Sequence, residues 1–596
     1  MELLNLDGVI EKGVFEIPSY QRGYAWQKEQ LKDFWNDLEH VSKLGDKFHY
    51  MHSLTLRELE NEFESSAFEI IDGQQRLATS LILLGLLAKT TQNKDKKYSL
   101  INLEPILSYK YYGLSEAFRA ITEEEKDLER FQTSFYAKNL IDAYAFFKEK
   151  ISDTPIEALE KMFDALIKKM LFSVVELNDN RIDPFSSFET INNRGKDLST
   201  LELLKNRLHF VAHKICDEGD LENLQQEIND TYTRIYHDLR FFEDTHLGDF
   251  LKYFVAYYYG EKKDFKERLL NTAFDAHKKY DDLYDEYEKI NDLLLYLSYS
   301  SKVWYSLHTL DDEELRIEIT PKMCGLLDKM RCLNALSDNA FLPLLLSLLT
   351  IQLAVRSGSE RHYTTKELEG LLEYLERFGF LIYGVAGKNT AKNEWIELAF
   401  QAFRAYRSWE DRITIEDLPT LEKNFFKGEH SGLELLEESI HSKKNTEKRY
   451  RWGKALNYLL YEYELYHNPE TTLNFDGSIE SIEHILPQKP DQGYSAKEKS
   501  WAKNPHIVHA LGNLLLIPKN ANSSLSNKPF EEKRKAYLKG SYSEKEVAKN
   551  ASFGVVQIKE RSEKLLDFLI VHYRIAELVD ESAIKAFKNA LLKDIK

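Results

Sequence analysis

The sequence predicts a mainly α protein that carries two α+β modules, one toward each end. Three observations lead there. From Leu221 to about Phe425 the chain reads as helix after helix, with few Gly or Pro and with Tyr and Phe at helical spacing. Ala67 to Ile71 (AFEII) is a strand candidate, followed at once by the polar turn Asp72-Gly73-Gln74-Gln75-Arg76 and a strongly apolar helix, Leu77 to Ala88. Ser478 to Ile485 and Leu514 to Ile517 are two further short strand candidates. The second is bounded by Gly512-Asn513 and Pro518, and Pro529 then suits the first turn of a helix through Lys533 and Tyr537. The expected division is an N-terminal module over 1–240, a helical connecting region over 241–440 and a C-terminal module over 441–596.

A length of 596 residues suits three or four domains, each able to bury a core. The three cysteines, Cys216, Cys324 and Cys332, make no zinc-finger spacing, which points to a reducing cytoplasm and a metal other than zinc. The opening MELLNLDGVIEKG is acidic where a signal peptide is basic. The most apolar run, Ala340 to Val355, contains Pro343, Ser347, Thr350 and Gln352 and falls short of the ~20 residues of a membrane span, so it predicts a buried helix. The net charge of −18 does not exclude a nucleic-acid partner, because distant charge is screened over about 8 Å at physiological salt. The local balance is basic: Lys489 to Lys549 holds twelve Lys or Arg against six Asp or Glu. Upstream, Lys443, Lys444, Lys448, Arg449, Arg451 and Lys454 face only Glu447, and such a cluster could contact phosphates.

In chain order, Phe15 to Trp26 is a short extended start broken at Pro18, and Glu29 to Leu44 is an amphipathic helix. The strand–turn–helix at Asp72 presents backbone N–H groups to an anion; Arg76 adds a planar cation for phosphate, and Asp72 an oxygen for a metal or a ribose hydroxyl. Thr122, with Glu123, Glu124 and Glu125, reads as a capped helix start. Asn193-Arg194-Gly195-Lys196 is a basic turn before a helix capped by Ser199 with Glu202 three residues on. There, Arg194 and Lys196 are candidates to close over the phosphates gripped by Arg76. His308 reads as a structural histidine, and no internal repeat is present. The least structured stretches are Gln92–Lys97, Glu429–Glu447 and Asn468–Gly477.

The Glu483-His484 pair with Asn513 and Asn522 supplies what metal-assisted phosphodiester cleavage needs, oxygen ligands for a hard cation beside an imidazole base. Glu483-His484-Ile485-Leu486-Pro487-Gln488, then Gly512-Asn513-Leu514, then Asn522 nine residues after Asn513, resemble an HNH (ββα-metal) nuclease core. The resemblance implies that His484 activates water, with an expected pKa near ~6.5, that Glu483 and Asn522 hold Mg²⁺ (or Mn²⁺), and that Asn513 steadies the loop.

At the other end, IPSYQRGYAW, IDGQQRLAT and FETINNRGKDLSTLELLKN together resemble the N-terminal domain of GmrSD-type, modification-dependent restriction endonucleases, a domain related to the ParB and sulfiredoxin fold. That family carries an HNH domain of this kind at its C-terminus. The resemblance implies that Asp72, Gly73, Gln74, Gln75 and Arg76, with Asn193, Arg194 and Lys196, bind and hydrolyse an NTP, GTP being one candidate. It also implies that Tyr20-Gln21-Arg22 senses a DNA modification, with modified phage DNA as the partner and either self-association or a partner modification system beside it. Two departures stand out: His52 occupies a position where the family has Gly, and Ala78-Thr79 replaces a Thr-Thr pair. The expected function is a nucleotide-dependent, modification-sensing DNA endonuclease of anti-phage defence. A nucleotide-switched toxin nuclease acting on RNA or host DNA, and a ParB-type scaffold with a dead nuclease, are the alternatives.

Overall fold

The computed structural model describes the chain apart from residues 1, 60–65, 93–97, 99–104, 111, 178–197, 241, 243, 262, 276–277, 281, 310–319, 356–362, 427–431, 435–454, 475–478 and 491–492. Contacts divide the chain into two compact units, Met1–Leu315 with Leu349–Ala354, and Arg316–Leu348 with Val355–Lys596. Helix dominates, as the composition and periodicity predict. Among the described residues no helix is long and apolar enough to cross a membrane. The apolar run near residue 350 is a helix, Leu342–Ala354, buried along nearly its whole length.

The first unit is built on a mixed sheet of β1 (Glu2–Asn5), β2 (Val14–Ile17), β3 (His49–Leu59), β4 (Ala67–Asp72), β5 (Leu107–Tyr109) and β6 (Met170–Glu176). Their order across the sheet is β1-β6-β3-β4-β2-β5. β4 lies antiparallel to β3 and parallel to β2, so the polar turn leaves from the middle of the sheet. Helix α1 (Lys28–Lys43) turns Leu31, Phe34, Trp35, Leu38 and Val41 inward, as its spacing predicts. Helix α2 (Gln74–Thr90) is buried from Leu77 to Ala88, and each enclosed Leu contributes about 1.5–3 kcal/mol. It packs between α3 (Phe135–Ser152) and α4 (Ile156–Lys168). Helices α5 (Thr200–Ile215), α6 (Glu218–Asp238) and α7 (Leu283–Thr309) form a second layer of mutual contacts, so chain beyond residue 240 packs back onto helices that precede it. His308 is structural, its Nδ1 2.8 Å from the Trp304 carbonyl and its ring against Phe242.

One local expectation is corrected. Thr122 ends the helix Tyr112–Thr122 instead of opening one: its hydroxyl donates back to the Arg119 carbonyl, and Glu124 takes a φ of 56° that no helix start accepts. His52 stands at a left-handed φ of 65° beside an irregularity in β3, the conformation for which Gly is the usual residue.

In the second unit, α8 (Pro321–Leu336), α9 (Thr365–Phe378) and α10 (Ala455–His467) form part of a helical body. Strands β7 (Glu480–His484) and β8 (Leu514–Pro518) make an antiparallel ribbon in which Glu483 pairs with Leu515 and His484 with Leu514. Helices α11 (Lys519–Leu525), α12 (Phe530–Tyr537) and α13 (Val555–His572) follow it. Pro529 stands just ahead of α12, in keeping with its fixed φ.

Candidate functional site

In the first unit the polar turn is shaped by Gly73, which ends β4 at a φ of 100°. A Cβ there would meet the Ser53 carbonyl oxygen and Leu54 Cδ1 at 3.0 Å, so both conformation and space require glycine. The turn and the loop after Pro18 clamp each other. Gln74 Nε2 donates to the Arg22 carbonyl (3.2 Å) and Gln75 Nε2 to that of Gly23 (2.9 Å), while Gln75 Oε1 accepts from the Ala25 N–H (2.9 Å). In return Gln21 Nε2 donates to the carbonyls of Ile70 and Ile71. The two motifs, distinct in sequence, are therefore one structure. Tyr20, Gln21 and Arg22 are buried in it and not displayed at the surface. Gln21 Oε1 and Gln74 Oε1 are buried acceptors without a hydrogen-bond partner among the described residues.

Asp72 and Arg76 form a salt bridge across the first turn of α2 (3.1 Å), with Ser53 donating to Asp72 and Arg76 to the Ser53 carbonyl (2.7 Å). Both side chains keep 22% exposure, so the pair is reachable from solvent. Asn193, Arg194 and Lys196 lie outside the described residues, as do the basic residues between 443 and 454. The Ser199–Glu202 capping box forms as its spacing predicts. Beyond it, sequence reasoning missed a stripe of buried polar residues on α5: Glu202, Lys205, Asn206 and His209. Their i, i+3, i+4, i+7 spacing inside an apolar helix was the signal. Lys205 Nζ donates to the Ser19 carbonyl, and burial holds its pKa down to about 7 against the opposing pull of Glu202. The His209 ring packs edge-on against Tyr20. A cavity of about 620 Å³ opens beside the same loop, lined by Trp26, Phe135, Phe146, Asn139, Lys138 and Arg240. Asn139 Nδ2 ties it to the loop through the Tyr24 carbonyl (3.3 Å).

In the second unit Asn513 holds the turn between the two chemical segments. Its Oδ1 accepts from the Leu486 N–H (2.7 Å), and its Nδ2 donates to the carbonyls of Leu486 (3.0 Å) and Val508 (2.7 Å). Gly512 comes so close to α13 that a Cβ would meet the Ile558 carbonyl oxygen at 2.0 Å, and Arg561 donates to the Gly512 and Leu514 carbonyls. His484 is held with its Nε2 3.2 Å from His509 Nδ1 and 3.4 Å from the Gln488 amide. Burial, then His509 and Lys533, lower its pKa to about 3, well below the ordinary imidazole value expected from sequence. His509, four residues ahead of Asn513, was not singled out in the sequence because no spacing marks it.

Glu483 and His484 are neighbours on a strand and so face opposite sides of it. The Glu483 carboxylate is buried, and its Oε1 accepts from Lys533 Nζ (2.6 Å) and the Tyr537 hydroxyl (2.8 Å). Burial pushes Glu483 up and Lys533 down, each opposed by the other's charge. Asn522 Nδ2 donates to Ser481 Oγ (2.8 Å) and the Ile482 carbonyl (3.1 Å). No three His, Cys, Asp or Glu side chains among the described residues are gathered so as to hold a metal ion. Asn522 keeps an amide oxygen that suits a hard cation. On Glu483 an ammonium and a hydroxyl already hold Oε1.

Comparison with known families closes the identification. The model of the GmrSD restriction endonuclease N-terminal domain matches residues 3–209, and that of the GmrSD C-terminal domain matches residues 436–568. These two domains define the class, a restriction endonuclease, whose substrate is DNA. The chain belongs to the GmrSD restriction endonuclease family. No curated protein matches it.

Proposed function

We propose that the protein is a nucleotide-dependent DNA endonuclease that senses modified DNA and cleaves phosphodiester bonds with an HNH-type core, in defence against phage. The observation that carries the nuclease half is His484 at the end of β7, next to a turn braced by Asn513. A neutral imidazole is the form that accepts a proton from water. A phosphodiester brought beside the ring adds negative charge, which favours the imidazolium and strengthens the base. The lysines of the C-terminal module supply phosphate contacts. Mg²⁺ or Mn²⁺ belongs to this reading as the expected cofactor.

The nucleotide half is supported by the first turn of α2. It lacks a side-chain cap and has the reachable Arg76 on it; alongside are Gln21 Oε1 and Gln74 Oε1, buried acceptors without a partner among the described residues, which could take donors from a base or ribose. Sensing is supported by the cavity at Trp26, whose volume and aromatic walls suit a base, with Lys138 paired to Asp142 at its side. Because the loop at Tyr20–Ala25 joins cavity to turn, occupancy of one would bear on the other.

The test is cleavage of modified and unmodified plasmid with and without NTP and chelator. Modified DNA should be cut, chelator should stop cutting, and His484→Ala should lose at least roughly 10²-fold in rate while still binding DNA. Wild-type cleavage by that variant would remove His484 from the reaction.

A further inference from the structure

We propose that Glu483 is a positioning residue whose permanent cation is Lys533, and that it does not ligate the metal assisting the chemistry at His484. The proposal rests on the nuclease reading above and changes the role of one of its residues. Lys533 has no exposed side-chain surface. Its ammonium donates to Glu483 Oε1 and also to the His484 carbonyl oxygen (2.7 Å), so it bridges the carboxylate to the main chain of the base residue itself. Tyr537, one turn further along α12, closes the same carboxylate oxygen. Helix α12 is in this way bolted to the end of β7 by a buried ion pair and a hydroxyl, on the side of the strand that Ser481 shares and His484 does not.

Lys533 and Tyr537 both hold Oε1, so a divalent ion on Glu483 would take the other oxygen of the same buried carboxylate and stand close to the ammonium, two cations repelling where water screens them little, or expel Lys533 from the interior without its partner. Either course is unfavourable. Glu483 and Lys533 thus fix the backbone that carries His484, and the ligands of the cation come from elsewhere.

A charge cycle on the full-length protein tests this: Glu483→Gln, Lys533→Met, the double variant, and Lys533→Arg. Each is measured for Mn²⁺ binding by titration calorimetry, for melting temperature, and for plasmid-nicking kinetics. Each single variant leaves one buried group unpaired and should melt several degrees lower, roughly 2–4 °C per kcal/mol for a unit of this size. The double variant should recover most of that loss and bind Mn²⁺ like the wild type. Lys533→Met should lower kcat about tenfold or more with KM unchanged, and Lys533→Arg should restore part of it.

Two results would overturn the proposal: loss of Mn²⁺ affinity by about tenfold or more in the double variant, or an equally large gain in Lys533→Met, which would mean that lysine merely blocks a metal ligand. If the wild type binds no Mn²⁺, the metal part of the proposed function fails, and the melting cycle alone decides here: recovery in the double variant supports the ion pair, additive losses overturn it.

Discussion

At the scale of single residues, burial is the effect that decides behaviour. His484 and His209 are both held neutral because their rings are closed off from water, each with its pKa lowered to about 3. Lys205 gives the clearest pH signature. Its folded pKa is about 7, against about 10.4 in an unfolded chain. Between those values the unfolded chain carries a proton that the native state lacks, so stability rises with pH across the window; below about 7 both states are protonated and the cost of the buried ammonium is present in full. Lys205→Met should therefore gain melting temperature relative to the wild type at neutral pH, with the gain shrinking toward about pH 10. A difference that stays flat across melting curves in this range would remove the buried ammonium from the account. Spacing in the sequence had marked Glu202 as a cap, but nothing in a one-dimensional string says that Lys205 lies under the loop at Ser19, a contact 186 residues away.

At the scale of elements, local backbone chemistry and close approach do most of the work. Strand β4, the turn at Gly73, helix α2 and the capping box at Ser199 form where periodicity and turn residues place them, and β7 and β8 where short apolar runs do. Thr122 shows the limit of such reading: a hydroxyl followed by three acids is equally the end of one helix, and only the packing of Tyr112–Thr122 chooses. His52 keeps a left-handed backbone at some cost. His52→Gly should stabilise the protein by roughly 1 kcal/mol in denaturant unfolding, and a destabilised variant would show that the imidazole has a role of its own. Gly512 is the opposite case. Gly512→Ala drives a methyl into the Ile558 carbonyl of α13, and should cost about 3 kcal/mol or more and slacken the turn that Asn513 braces. A variant as stable as the wild type would mean α13 yields easily.

At the scale of the whole molecule, two motifs of different character occur in one chain, a polar turn carrying Asp72 and Arg76 in one compact unit and a ribbon carrying His484 in the other. If their roles are as proposed, they separate by mutation. Arg76→Ala should abolish NTP turnover, which is read by phosphate release, while His484→Ala should keep that turnover and lose DNA cleavage. Turnover unchanged in Arg76→Ala would return the polar turn to a structural role. Rates measured with modified and with unmodified DNA would then show in which direction the nucleotide step is coupled to cutting.

The sequence by itself determined the class of fold, the family, and the positions of both motifs, because strand and helix periods, turn glycines and short spaced motifs are local and survive in one dimension. The role of Asn513 as the brace of its turn was implied by the resemblance to HNH cores. Tertiary structure alone decided who faces whom. It joined Tyr20-Gln21-Arg22 to the Gln74-Gln75 turn, brought His509 to His484, and set Lys533, fifty residues on, against Glu483. The physical reason is that charge pairing and desolvation depend on distance through space and on exclusion of water, and neither quantity is written in the order of residues.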